Sequence, residues 1–129
     1  MSRLRSKVPT DDVLSIIDGA LNIYFSTSIH EITTNSSVFT VDPIQKVSRH
    51  SFIYILKKLN ISNLHISSTY NVSTNFVINN YKMATDIILS YKGYEHRKVM
   101  LEFVDYVYTH PIVKNFRNNN NININIISE

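Results

Sequence analysis

The sequence predicts an all-α domain, a compact bundle of about five helices that contains a helix-turn-helix. Three observations carry this. Apolar residues recur at intervals of three and four in the long segments, the period of a half-buried helix. Helix-start chemistry stands at the head of those segments, at Thr10-Asp11, Asp42-Pro43 and Ser73. The stretch from Asn63 to Ala84, NLHISSTYNVSTNFVINNYKMA, reads as two helices joined by a tight turn.

Residues 1–9 read as a flexible basic arm in which Arg3, Arg5 and Lys7 alternate with Leu4 and Val8 before Pro9. Such an arm is either a solvated tail or a segment that touches phosphates or a minor groove. The helical domain spans residues 10–115. Thr10 or Asp11 caps a first helix through about Phe25, and Asp11 and Asp12 suit its dipole. Val13, Ile16, Ile17, Ala20, Leu21 and Tyr24 form the apolar stripe, and Gly19 is expected to mark a close approach. Ser28 caps one further turn around Ile29 to Ile32, and residues 33–41 form a loop. Asp42 as cap and Pro43 at the first helical position start the next helix, which runs to Leu59 or Asn60. Its inward side is Ile44, Val47, Phe52, Ile55, Leu56 and Leu59, and Lys46, Arg49, His50, Lys57 and Lys58 leave it basic elsewhere.

Within the helix-turn-helix, Ile66 and Tyr70 share a face, and Ser67 is small where two helices approach. Asn71 tolerates the left-handed conformation that ends a helix, and Val72 plugs the turn. Ser73 caps the second helix, whose Val77 and Tyr81 point inward. That helix is expected to continue to Lys92, with Gly93 as its stop. A last helix spans about Tyr94 to Tyr108, with Val99, Met100, Phe103, Val104 and Val107 as core face and Pro111 beyond its end. Residues 116–129 form an Asn-rich tail, expected to be disordered, although the Asn-Ile alternation at 121–126 has strand period.

At 129 residues the chain makes one domain. No apolar run approaches the roughly 20 residues that span a bilayer. The basic N-terminus lacks the apolar core of a signal peptide, so a cytoplasmic location with no membrane partner is expected. Without cysteine there is neither a disulfide nor a thiolate zinc site. The net charge of +3 and pI near 9.2 permit nucleic-acid binding without demanding it. The five histidines show no pair at helical metal spacing, so no metal and no cofactor are expected. Glu95, Glu102 and Asp105 read as surface, and no nucleophile context marks a catalytic residue. The tyrosines near the last helix, Tyr91, Tyr94, Tyr106 and Tyr108, suit core packing or a contact with a second copy or a protein partner.

Three segments carry a family resemblance: DDVLSIIDGALNIYFSTSIHEI, RHSFIYILKKLN and NLHISSTYNVSTNFVINNYKMA. Their order and spacing, from Asp11 to about Tyr108, resemble the C-terminal DNA-binding domain of the bacterial chromosomal replication initiator DnaA, a Trp-repressor-like helix-turn-helix. No phosphate-binding G-x-x-x-x-G-K-[ST] is present, so the resemblance implies a stand-alone DNA-binding module, regulatory or replication-related, without an ATPase domain. In that family the recognition helix opens with Asp-His-Thr-Thr; here the matching positions are Ser73, Thr74, Asn75 and Phe76, so the family's site specificity does not carry over. The resemblance implies a backbone-phosphate contact for Arg49. The family's arginine-rich loop is replaced by TTNSSVFTVDPIQKVSR, where Lys46 and Arg49 are the basic residues.

The expected partner is double-stranded DNA. Lys46, Arg49, Lys82 and the arm would meet phosphates, and Thr74, Asn75, Asn79 and Ser73 would read bases. Asn75, Asn79 and Lys82 share one helix face, which is either a DNA face or an ordinary solvated one. Phe76 is either core or a thymine-methyl contact. The rival expectation is a protein-interaction module that keeps the fold without DNA binding. No enzyme activity is expected.

Overall fold

The second half of helix α3 (Pro43–Lys58) has almost no solvent face. Nine residues of the helix are buried, among them the unbroken run from Ser51 to Leu56. A stretch of helix buried on all sides must lie inside its domain. In the computed structural model, which describes residues 8–34, 42–89 and 96–122, the other elements gather round it. They are α1 (Asp11–Phe25), α2 (Ile29–Thr34), α4 (Asn63–Tyr70), α5 (Thr74–Leu89), α6 (Arg97–Thr109) and α7 (Pro111–Asn119). Helices α1, α2, α5 and α6 pack directly on α3. Helix α4 packs on α5, and α7 packs on α1 and α6. The described residues contain seven helices and no strand, so the all-α expectation holds with more helices than the expected five or so.

The polar side chains of α3 are accommodated locally. Ser48 donates to the Gln45 carbonyl and Ser51 to the Val47 carbonyl, both at 2.7 Å, so neither hydroxyl needs a distant partner. The helix starts as its sequence predicts: Pro43 opens it, and the Asp42 carboxylate accepts from the Ile44 N–H at 3.0 Å. Ser28 caps α2 by accepting from the Glu31 N–H, and Asp18 of α1 accepts from the Ile29 N–H at 2.8 Å, which ties the two helices.

Three helix ends share one device, while α1 ends on a left-handed serine, Ser26, with φ 55°. Asn60, Asn71 and Asn121 all have positive φ, at 66°, 56° and 59°. The next residue is in each case a buried β-branched one, Ile61, Val72 or Ile122. Its N–H reaches back to a helix carbonyl: Ile61 to Leu56 at 3.1 Å, Val72 to Ser67 at 3.2 Å and Ile122 to Arg117 at 2.8 Å. This is the Schellman closure with asparagine in the place usually held by glycine. Two further helix ends are closed by arginines that follow in the chain. Arg97 donates to the Ile88 carbonyl at 3.0 Å, and Arg117 donates to the Tyr108 carbonyl at 3.0 Å while lying over the Tyr108 ring.

Three expectations are corrected. The segment from residue 116, read as a disordered tail, is helical through Asn119, because Phe116 and Ile122 are buried, at 7% and 1% exposure, in the seam that α7 makes with the bundle. The helix expected to be the last is therefore followed by another: Pro111 lies beyond the end of α6, as expected, and also opens α7, with His110 Nδ1 accepting from the Ile112 N–H. Gly19 does not mark a close approach: a Cβ built there meets nothing within 4 Å, and the residue is exposed. The predicted arm residues Arg3, Arg5 and Lys7, the helix stop at Gly93 and the 121–126 alternation beyond Ile122 lie outside the described residues.

Two stability changes follow. Gly19→Ala should stabilise the protein by about 1 kcal/mol, because alanine removes backbone freedom from the unfolded chain at a helical site with room for a methyl. A urea midpoint that falls would contradict the open site. Phe116→Ala should cost about 3 kcal/mol, and a midpoint unchanged from the parent would mean that α7 is not docked.

Candidate nucleic-acid interface

The turn between α4 and α5 is built from short-range bonds. Ser62 caps α4 by accepting from the His65 N–H at 3.0 Å. At the far end Ser67 and Val72 hold each other twice. The Val72 N–H donates to the Ser67 carbonyl, and the Ser67 hydroxyl donates to the Val72 carbonyl at 2.5 Å. Asn71, between them, takes the left-handed conformation that reverses the chain. Ser73 then caps α5, accepting from the Phe76 N–H at 3.0 Å. Ile66 is fully buried, and Tyr70 packs edge-on against Phe52 of α3 with ring centroids 5.5 Å apart.

The inward side of α5 is Val77, Asn80, Ala84, Ile87 and Ile88. Phe76, half-buried against the core, is accounted for by packing. Tyr81 stacks on Tyr54 of α3 at 5.8 Å with the rings 21° apart. Burial, reinforced by Tyr81 and Tyr108, pushes the Tyr54 hydroxyl up to about 12. The opposite side of α5 is open. Ser73, Thr74, Asn75, Asn79 and Lys82 are all exposed, and helical phase sets Asn75, Asn79 and Lys82 on one side of α5 together with the exposed Asp86. Ile78 and Met83 stand among them, 48% and 42% exposed.

The basic residues of α3 divide. Lys46 is exposed. Arg49, expected to meet phosphate, is buried, with 7% of its surface exposed, and desolvation pushes its pKa down. The residue therefore belongs to the packing between helices more than to the surface. The tyrosine-rich surface expected on the last helix is also reduced. Tyr108 is buried beneath the Arg117 guanidinium, and Tyr106 leans edge-on against Tyr24. Tyr91 and Tyr94 are outside the described residues. Among the described residues no group of three or more His, Asp or Glu side chains converges as a metal site requires.

One pair escaped sequence reasoning. His50 Nδ1 lies 2.7 Å from Asn80 Oδ1, joining α3 to α5. The Asn80 amide nitrogen donates to the Phe76 carbonyl at 2.8 Å, which turns the amide oxygen toward His50 and makes the imidazole the donor. The available signal was phase: Asn80 falls three residues after Val77 and four before Ala84, on the stripe that should be apolar. Burial lowers the His50 pKa; the bond to Asn80 opposes this, and the charges of Arg49 and Lys46 add to it.

Neither a protein-family profile, nor a curated protein, nor a solved structure matches this chain.

The depressed His50 pKa gives stability a direction with pH. The unfolded chain takes up the proton first, near its ordinary value of 6.5, so stability is full above that value. It falls as pH drops through the lower folded-state pKa. Urea midpoints measured at about pH 7.5 and about pH 5 should therefore differ, and the difference should shrink in His50→Gln. An equal difference in both proteins would show that His50 does not carry the effect.

Proposed function

We propose that this chain is a small double-stranded DNA-binding protein that lays α5 in the major groove. One observation supports the reading best. Thr74, Asn75, Asn79 and Lys82 form an exposed polar row on a helix whose other side is anchored in the core. A rigid helix with a hydrogen-bonding outer face, entered through a short helix and a tight turn, has the form of a recognition helix. The proposal extends to kinship with the C-terminal domain of DnaA, with different bases read because the first residues of the helix differ. It includes no turnover and no cofactor.

The charge available is small. On the described surface Lys46 and Lys82 are the proposed phosphate contacts, and Arg3, Arg5 and Lys7 of the arm are proposed to add to them. Two phosphate contacts give a salt slope near −2, and five give one near −4.5, since each contributes about −0.9. Base contacts must then supply much of any specificity. A second reading, a module that binds protein, is favoured by exposed apolar side chains on α4 and α5, Leu64, Ile78, Met83 and Leu89, at 71%, 48%, 42% and 65%.

Binding to a random duplex pool, followed by fluorescence anisotropy across a salt series, tests the proposal. Lys82→Ala should weaken all duplexes about equally and reduce the salt slope by about 1, whereas Asn75→Ala should change which sequences are retained. If no duplex is retained even at low salt, the DNA reading fails and the protein-docking reading replaces it.

A further inference from the structure

Resting on the major-groove reading, we infer that α5 selects A·T base pairs, with Asn75 and Asn79 gripping adenine edges and Ile78 packing on a thymine methyl.

Three asparagines on α5 are treated differently by the fold. Asn80 faces inward, and both ends of its amide are engaged, by His50 and by the Phe76 carbonyl. Asn75 and Asn79 face outward, and their amides have no partner among the described residues. An amide carries a donor and an acceptor side by side, which matches the N6 donor and N7 acceptor of adenine in the major groove. Ile78 lies beside them on the same surface, 48% exposed, where an apolar side chain complements the thymine C5 methyl.

Spacing supports simultaneous contact. Residues 75, 78, 79 and 82 are separated by three, four and seven positions, one face of a helix. At about 1.5 Å per residue, Asn75 and Asn79 are about 6 Å apart along the axis, near two base-pair steps of about 3.4 Å. Guanine is read chiefly by arginine or lysine, through O6 and N7. Lys82 is the single cation on α5 and comes in its third turn, so the turns that would enter the groove first hold no guanine reader. On the entering turns Ser73 and Thr74 suit either base pair, so the choice falls to Asn75, Ile78 and Asn79, and the one acidic residue in phase with them, Asp86, comes a turn after Lys82.

Anisotropy with the full chain at low salt tests this on four duplexes: an A·T-core duplex, a G·C-core duplex, the A·T core with deoxyuridine for thymidine, and the A·T core with 7-deazaadenine for adenine. The modifications remove the methyl and the N7 acceptor, both in the major groove, so a preference arising from a narrow minor groove would not respond. The A·T core should bind about tenfold tighter than the G·C core. Deoxyuridine should weaken wild type several-fold and leave Ile78→Ala unaffected. Deazaadenine should weaken wild type and have a smaller effect on Asn75→Ala and Asn79→Ala. All three positions are exposed, so these variants should fold, and their urea midpoints check it. Equal binding of all four duplexes, a preference for G·C, or an A·T preference blind to both modifications overturns the inference while DNA binding stands. Absence of binding to every duplex overturns the DNA reading as well.

Discussion

The enclosure of α3 is the constraint on which the rest depends. A helix whose residues are buried from Ser51 to Leu56 without interruption needs neighbours on every side, and a chain of this length has few to supply. Helices α1, α2, α5 and α6 all lie against it, which leaves α4 and α7 to close the seams from outside. Every polar atom carried inward by α3 must find a partner close by, because an unpaired buried group is costly. The serines bond to their own helix, and His50 reaches across to α5.

That same enclosure sets the orientation of α5. Two side-chain links, the Tyr54–Tyr81 stack and the His50–Asn80 bond, hold it to α3 at neighbouring turns, around an apolar seam centred on Val77 and Ala84. A helix pinned along one stripe cannot rotate, so the identity of the residues on its outer face is decided by the core. The clasp between Ser67 and Val72 fixes the angle at which α4 enters. Core packing and the outer polar row are thus two faces of one register.

What was legible in the sequence was local. The Asp42-Pro43 start, the Ser73 cap, the left-handed Asn71 and the stripe of α1 depend on near neighbours in the chain, and each is found where its chemistry points. The exposure of Thr74, Asn75, Asn79 and Lys82 follows from helical phase in the same way. What was not legible depends on a distant partner. Arg49 carries a charge, yet the packing around α3 covers it. Gly19 suggested a close neighbour, and none is there. Asn80 is polar on an apolar stripe because His50, thirty residues earlier, answers it. The asparagine run after Phe116 looked unpackable by composition, while its first members complete and close a helix held by Phe116 and Ile122.

The asparagine stops have a consequence at the level of the gene. The chain has two glycines, yet it makes left-handed turns at Asn60, Asn71 and Asn121. Glycine codons begin with two guanines and asparagine codons with two adenines. A coding sequence can therefore drift far toward adenine and thymine without losing its helix boundaries, because asparagine is the side chain that best tolerates this backbone after glycine. The anchoring isoleucine that follows two of the three stops is itself encoded by triplets beginning adenine-thymine. Helix termination at these three positions therefore places no demand on guanine-rich codons, and a fold closed in this way can persist where base composition disfavours glycine.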